Sequence, residues 1–276
     1  MRYAKAILAA SILAATLLAG LGAAAAGEEA ANGATWKELR PDVFGERPLS
    51  DASPMVKLDA PIRAEDAALV PIEVSIDLPA GDARTVKKLT LIVDENPSPV
   101  AATFTFGGVR RDVALSTRLR VNSYSYVRAV AELSDGSLQM SERFVKASGG
   151  CSAPAMKDAD EAMKHLGEMK MKLVEGGQSG DATQASRFAR VQLMIRHPNN
   201  SGMQMDPITR GYIPARYVDK IELKQGDALI VSMEGGISLS EDPNLQVSFE
   251  PTGAPIHVDA ADTDGTPFRG DLKPAS

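Results

Sequence analysis

Residues Val70 to Leu78 read VPIEVSIDL, with Ile72, Val74, Ile76 and Leu78 on one side of the alternation and Glu73, Ser75 and Asp77 on the other. A period of two is that of a strand with one dry face and one wet face. The pattern recurs at short intervals in Leu89 to Val93, Ala101 to Phe106, Val113 to Leu115, Leu119 to Val121 and Tyr126 to Glu132. Asp135-Gly136 then marks a hairpin turn before Leu138 to Val145. Roughly six to eight short strands with no long helix among them restrict this part of the chain to an antiparallel sandwich.

A second β region begins at Phe188. Val191 to Ile195, Tyr217 to Leu223, Ala228 to Met233, Leu245 to Glu250 and Ile256 to Ala260 are its expected strands, punctuated by glycine turns such as Gln225-Gly226, Gly235-Gly236 and Asp264-Gly265. Between the two β regions, Lys157 to Leu173 predicts one helix. Asp158 or Asp160 can cap it, Ala159, Met163, Leu166, Met169 or Lys170, and Leu173 form its stripe, and Gly176-Gly177 stops it. The expected fold is all-β: two antiparallel β-sandwiches, over residues 56–148 and 187–276, joined by a Gly-Gly-Cys loop, the helix and a polar linker over 149–186.

The first 26 residues read as an export signal. Arg2 and Lys5 supply a positive start, Ala6 to Leu21 are uncharged and apolar, and Ala24-Ala25-Ala26 offers a cleavage site. The expected location is the periplasm, with no membrane insertion of the mature chain. Cleavage takes the formal charge from −6 to −8, because Arg2 and Lys5 are the only charges removed. That acidic balance argues against nucleic acid as a partner. Residues 27–55 form an N-terminal arm, in which Trp36 to Pro48 predicts a short packed helix.

Cys151 is the only cysteine of 276 residues and sits in the run Lys146 to Pro154, KASGGCSAP. An internal disulfide is therefore impossible. Gly149 and Gly150 lack side chains and allow backbone angles closed to other residues, so the expectation is a flexible arm that projects its thiol. The alternative is a free cysteine buried as a small hydrophobe. Lys146 and Lys157 are near enough to favour the thiolate modestly. No histidine is adjacent in sequence, so the thiol reads as a handle rather than a catalytic centre.

The first region resembles SoxY, the carrier subunit of the periplasmic sulfur-oxidation system. The likeness rests on Leu58 to Val74 (LDAPIRAEDAALVPIEV), Asn96-Pro97-Ser98-Pro99, Val127 to Gly136 (VRAVAELSDG) and Phe144 to Cys151 (FVKASGGC). The second resembles SoxZ, its partner, through His197-Pro198, Ser201 to Asp206 (SGMQMD), Gly211 to Lys220 (GYIPARYVDK), Gly235 to Ser238 (GGIS), Phe249 and Asp262 to Gly265 (DTDG). The whole is similar to fused SoxYZ-like carriers associated with quinoprotein dehydrogenases. The resemblance implies an immunoglobulin-like sandwich for each half, pairing of the halves within the chain, and a sulfur intermediate held covalently on Cys151. It implies no resident cofactor. The implied partners are periplasmic redox enzymes and cytochromes of sulfur oxidation or of a quinoprotein dehydrogenase system. Met203, Met205, Tyr212 and Ile213 are expected near the arm.

One departure has physical consequences. In SoxY the cysteine arm is a free C-terminus, whereas here the chain continues through Ser152 into a second domain. A loop tethered at both ends enters a partner as two strands, which adds roughly 4.8 Å of width. Gly149 and Gly150 alone reach only about 7 Å, at roughly 3.5 Å per residue. His165, His197 and His257 show no metal-ligand spacing, and Asp262 to Gly265 reads as a β-turn rather than a calcium loop. Met169, Met171, Met203 and Met205 leave copper(I) carriage as an alternative. A docking or assembly module for a dehydrogenase and its cytochrome is another.

Overall fold

Residues 33–154, 159–174 and 188–273 are described by a computed structural model. The expected export signal, the Gly176-Gly177 stop and the linker at 178–186 lie outside the described residues. In chain order the first half holds α1 (Ala34–Phe44), β1 (Leu49–Ser50), β2 (Val56–Asp59), β3 (Val70–Asp77), β4 (Val86–Val93), β5 (Val100–Phe106), β6 (Asp112–Leu119), β7 (Ser125–Leu133) and β8 (Leu138–Val145). Then come α2 (Ala159–Lys164), β9 (Met169–Val174), β10 (Ala189–Ile195), β11 (Val218–Gln225), β12 (Ala228–Gly235), β13 (Asn244–Phe249), β14 (Ile256–Asp262) and β15 (Pro267–Leu272).

The chain is all-β, and each half is a two-layer immunoglobulin-like sandwich. The alternation read at 70–78 is realised in β3, where Val70, Ile72, Val74 and Ile76 are buried and Pro71, Glu73 and Asp77 are exposed. The layers do not stop at the domain boundary. One runs β1-β8-β7-β4-β5-β12-β11-β14-β15, and the other β2-β3-β6-β13-β10-β9. Two antiparallel ladders make the crossing: β5 pairs with β12 from Ala102↔Gly235 to Phe106↔Val231, and β6 pairs with β13 at Leu115↔Val247 and Ser116↔Gln246. The buried apolar side chains accordingly form one cluster across both halves, in which Val74, Leu91 and Phe104 share a core with Leu193, Val231 and Val247. Each such side chain contributes about 1.5–3 kcal/mol when fully buried.

The helix expected over 157–173 is corrected. Within the described residues only Ala159–Lys164 is helical, and Met169–Val174 is the edge strand β9. Gly167 ends the helical path with φ +81°, and a Cβ there would meet the Phe268 ring at 2.2 Å. Beyond it, Met169 and Met171 are partly buried while Lys170 and Lys172 are exposed. That is a period of two, and both methionines lie against Gly270 on β15. Three smaller differences follow. Val113 to Leu119 is one strand rather than two, β15 is not among the expected strands, and β1 pairs parallel to β8.

The expected short helix near Trp36 is α1. It covers the outer face of the larger layer, where Trp36 and Phe44 pack with Ile92, Val130, Leu138 and Met140. Below it Arg128 is buried, with its guanidinium 4.5 Å from the Trp36 ring centre and 5.0 Å from that of Tyr126. Its Nε and Nη2 donate to the buried Asp94 carboxylate at 2.8–3.0 Å. Removing one member of a buried ion pair strands the other charge. Arg128→Ala should therefore lower the unfolding free energy by about 3–5 kcal/mol, measured as a drop in the denaturation midpoint.

Candidate functional site

Past β8 the chain is held on both sides before it reaches the thiol. Lys146 N donates to Ile62 O at 2.8 Å, Gly149 N to Asn122 O at 2.8 Å and Gly150 N to Val121 O at 3.1 Å. The chain then turns, with Ser152 N donating to Gly149 O at 3.1 Å. The two glycines have separate structural reasons. Gly149 takes φ +78°, a region L side chains rarely adopt. Gly150 lies so close to the neighbouring backbone that a Cβ would sit 2.1 Å from Ala67 O and 2.7 Å from Val121 O.

Cys151 is fully buried in this arrangement, which corrects the expectation of a projecting thiol. The cause is a set of hydrogen bonds to the carbonyls of the arm. Arg120 Nη1 donates to Gly150 O at 3.1 Å, and Ser201 Oγ donates to Cys151 O. Arg120 belongs to the first half and Ser201 to the second, so the thiol is seated at the junction of both. Burial pushes the thiol pKa up to about 11, although the nearby Arg120 guanidinium draws it the other way. At neutral pH the seated sulfur is therefore a neutral thiol and a poor nucleophile.

The motif residues of the second half build the far wall. Gln204 Oε1 accepts from Ser201 N at 2.7 Å and so fixes the backbone that carries the hydroxyl. His197 is buried, and its Nδ1 accepts from Asn199 N at 3.0 Å, which leaves Nε2 to face Asp262 at 3.4 Å. Burial lowers the His197 pKa against the pull of Asp262, keeping the ring neutral. Asn199 O in turn accepts from Arg120 Nη2 at 3.3 Å. Asp262 also caps its own turn, accepting from Asp264 N at 3.1 Å and Thr266 N at 2.9 Å.

Of the residues expected near the arm, Met203 N donates to Ser201 Oγ at 3.2 Å, and Ile213 N donates to Gln204 O at 2.9 Å. Met205 pairs with Tyr212 across an isolated bridge. Together they carry a loop beside the seat on which Met205, Ile208 and Tyr212 are exposed. The other histidines stand elsewhere: His165 lies between Glu161 and Glu168, and His257 pairs with Asp271 across β14 and β15. Met169 and Met171 pack against β15.

Sequence reasoning does not single out Arg120, and it meets Asn96 only within the Asn96-Pro97-Ser98-Pro99 motif. Asn96 clamps the seat from below: its Nδ2 donates to Arg120 O and to Ser238 Oγ, each at 2.8 Å, and its Oδ1 accepts from Asn122 N at 2.8 Å. Ser238 Oγ donates onward to Ser98 O at 3.1 Å, so two of the motifs meet across the junction.

Two expectations follow for the thiol. A side chain at Gly150 overpacks the seat, and overpacking costs about 1–3 kcal/mol, which is about 5- to 150-fold in favour of the released arm. Gly150→Ala should therefore raise the rate of Cys151 alkylation by about that factor while both sandwiches stay folded. A raised thiol pKa means the seated state keeps its full advantage below pH 9.0 and loses it as pH climbs towards about 11. Thiolate absorbance should accordingly titrate well above pH 9.0 in the native protein and shift down in Gly150→Ala.

No curated protein matches this chain. Among solved structures it is similar to the sulfur carrier protein SoxY from Chlorobium limicola f thiosulfatophilum, at 24% identity over 41% of this chain and 96% of that one, with a TM-score of 0.32. It is also similar to superoxide reductase (neelaredoxin) from Ignicoccus hospitalis, at 17% identity over 34% of this chain and 80% of that one, with a TM-score of 0.28. Residues 40–151 match the family described as sulfur oxidation protein SoxY, a match that ends on Cys151, and residues 179–273 match that described as sulphur oxidation protein SoxZ. The chain is a SoxY domain followed in the same polypeptide by a SoxZ domain, a fused SoxYZ-like sulfur-oxidation protein.

Proposed function

We propose that this protein is a periplasmic, non-catalytic carrier that holds a sulfur-containing species covalently on Cys151 and presents it to partner enzymes. The observation that carries the reading is the position of the chain's single thiol. It lies on a Gly-Gly loop at the end of the SoxY match and is seated by residues of both domains. The seated form, neutral and buried, is the resting state. The released form, with an exposed thiol of ordinary pKa, is the one that reacts.

Loading with an oxidised sulfur species also defines a partner. Joining the thiol to thiosulfate makes a sulfur–sulfur bond and releases one proton and two electrons, so an electron acceptor must be present. A cytochrome meets that need, whether it serves sulfur oxidation or a quinoprotein dehydrogenase system. The exposed Met205, Ile208 and Tyr212 beside the seat offer such a partner an apolar contact at the point where the arm emerges. The same loop favours the second reading, a non-covalent docking module for a dehydrogenase and cytochrome c, in which Cys151 is dispensable.

Cys151→Ser separates the two. Incubation with thiosulfate and an oxidised c-type cytochrome should add a reductant-labile mass to the native protein and none to the variant, with both equally folded. Loading of Cys151→Ser would end the carrier reading, and full support of dehydrogenase activity by a Cys151→Ala strain would favour the docking module.

A further inference from the structure

Arg120 is 1% exposed, yet among the described residues its guanidinium donates to no carboxylate. Glu241 and Asp66 act on it through space. Nη1 and Nη2 donate to the carbonyls of Gly150 and Asn199, and Nε donates to nothing. Two further buried donors in the same network are unfilled among the described residues, Asn199 Nδ2 and Gln204 Nε2. Their orientation is fixed, because Val218 N donates to Asn199 Oδ1 and Ser201 N donates to Gln204 Oε1. An amide hydrogen must face an oxygen, so in both residues the free end is the NH2 group. The seat of the arm thus sets buried donors about one buried positive charge, with the Gly150, Asn199 and Cys151 carbonyls as acceptors. A buried cation and unpaired buried donors are both costly, and an anion relieves both at once.

We propose that the seat of the Gly150–Cys151 arm is an oxoanion-binding site, in which a small tetrahedral sulfur oxoanion replaces the arm on Arg120 and Ser201 and fills the free amides of Asn199 and Gln204. The oxygens of such an ion match the donors that the Gly150 and Cys151 carbonyls now take. Ion and arm compete for one place, so a sulfur oxoanion drives the thiol out of its seat and into its reactive form. The proposal goes beyond the carrier reading, because it concerns the bare thiol and involves no loading step.

Sulfate is the probe, since it does not react with alkylating agents. The rate of Cys151 alkylation by the uncharged reagent iodoacetamide is followed in sodium sulfate and in sodium chloride of equal ionic strength. Competition predicts a saturable acceleration by sulfate of about 5-fold or more, the lower range of ordinary site-to-site coupling. Non-specific salting acts in the opposite direction, because sulfate strengthens burial and should slow release. Arg120→Met should abolish the acceleration. So should Gln204→Glu, which keeps an oxygen for Ser201 but turns the free donor into a negative charge. An unchanged or slower rate in sulfate overturns the proposal, as does equal acceleration in the two variants. Failure here leaves covalent loading of Cys151 intact, and a failure of loading leaves the alkylation result standing.

Discussion

Gly150 passes so close to the carbonyls of Ala67 and Val121 that no side chain fits between them. That approach places Gly150 O on Arg120 and Cys151 O on Ser201, and it buries the sulfur. It also needs the two domains in fixed register, because Arg120 follows β6 of the first and Ser201 belongs to the second. The register comes from main-chain pairing of β5 with β12 and of β6 with β13, which makes each layer continuous through the junction. Fusion in one chain keeps the halves at high effective concentration, so the ladders close without a search for a partner.

The resting thiol is therefore protected twice, by burial and by its neutral state. The side-chain bonds that hold the arm are few and go to its own main-chain carbonyls. A loop tethered at both ends differs from a free terminus in this respect. It can leave its seat only as a hairpin-like bight, with Lys146 on one side and Ser152 on the other. A partner able to reach Cys151 must accommodate that width.

The fold is largely legible in the sequence because alternation is a local property. Val70 to Leu78 reads as a half-buried strand before any partner is known, and the spacing of turn residues limits the architecture. Met169 to Val174 misleads because its methionines satisfy a helical stripe as well as a strand, and only the Phe268 ring over Gly167 and the contact with Gly270 decide between them. The continuity of the layers is out of reach for a different reason: which edges pair across a junction depends on register between segments more than a hundred residues apart.

At the site the split is similar. Cys151 and its glycines stand out in the sequence by composition alone. Arg120 does not, because its importance lies in which carbonyls it meets. On sequence alone Gly149 and Gly150 signify freedom of movement. In the structure the same absence of side chains permits tight docking, and a residue type cannot distinguish the two.

The central claim is that Cys151 is a covalent handle for sulfur. It is tested most directly by the intact mass of the protein isolated from its native cells without reductant, with peptide mapping of the segment around Cys151. The account predicts a population carrying extra sulfur or a sulfur oxyanion on Cys151, removed by reductant. A bare thiol under every growth condition, or nothing beyond a disulfide between two copies, would contradict it.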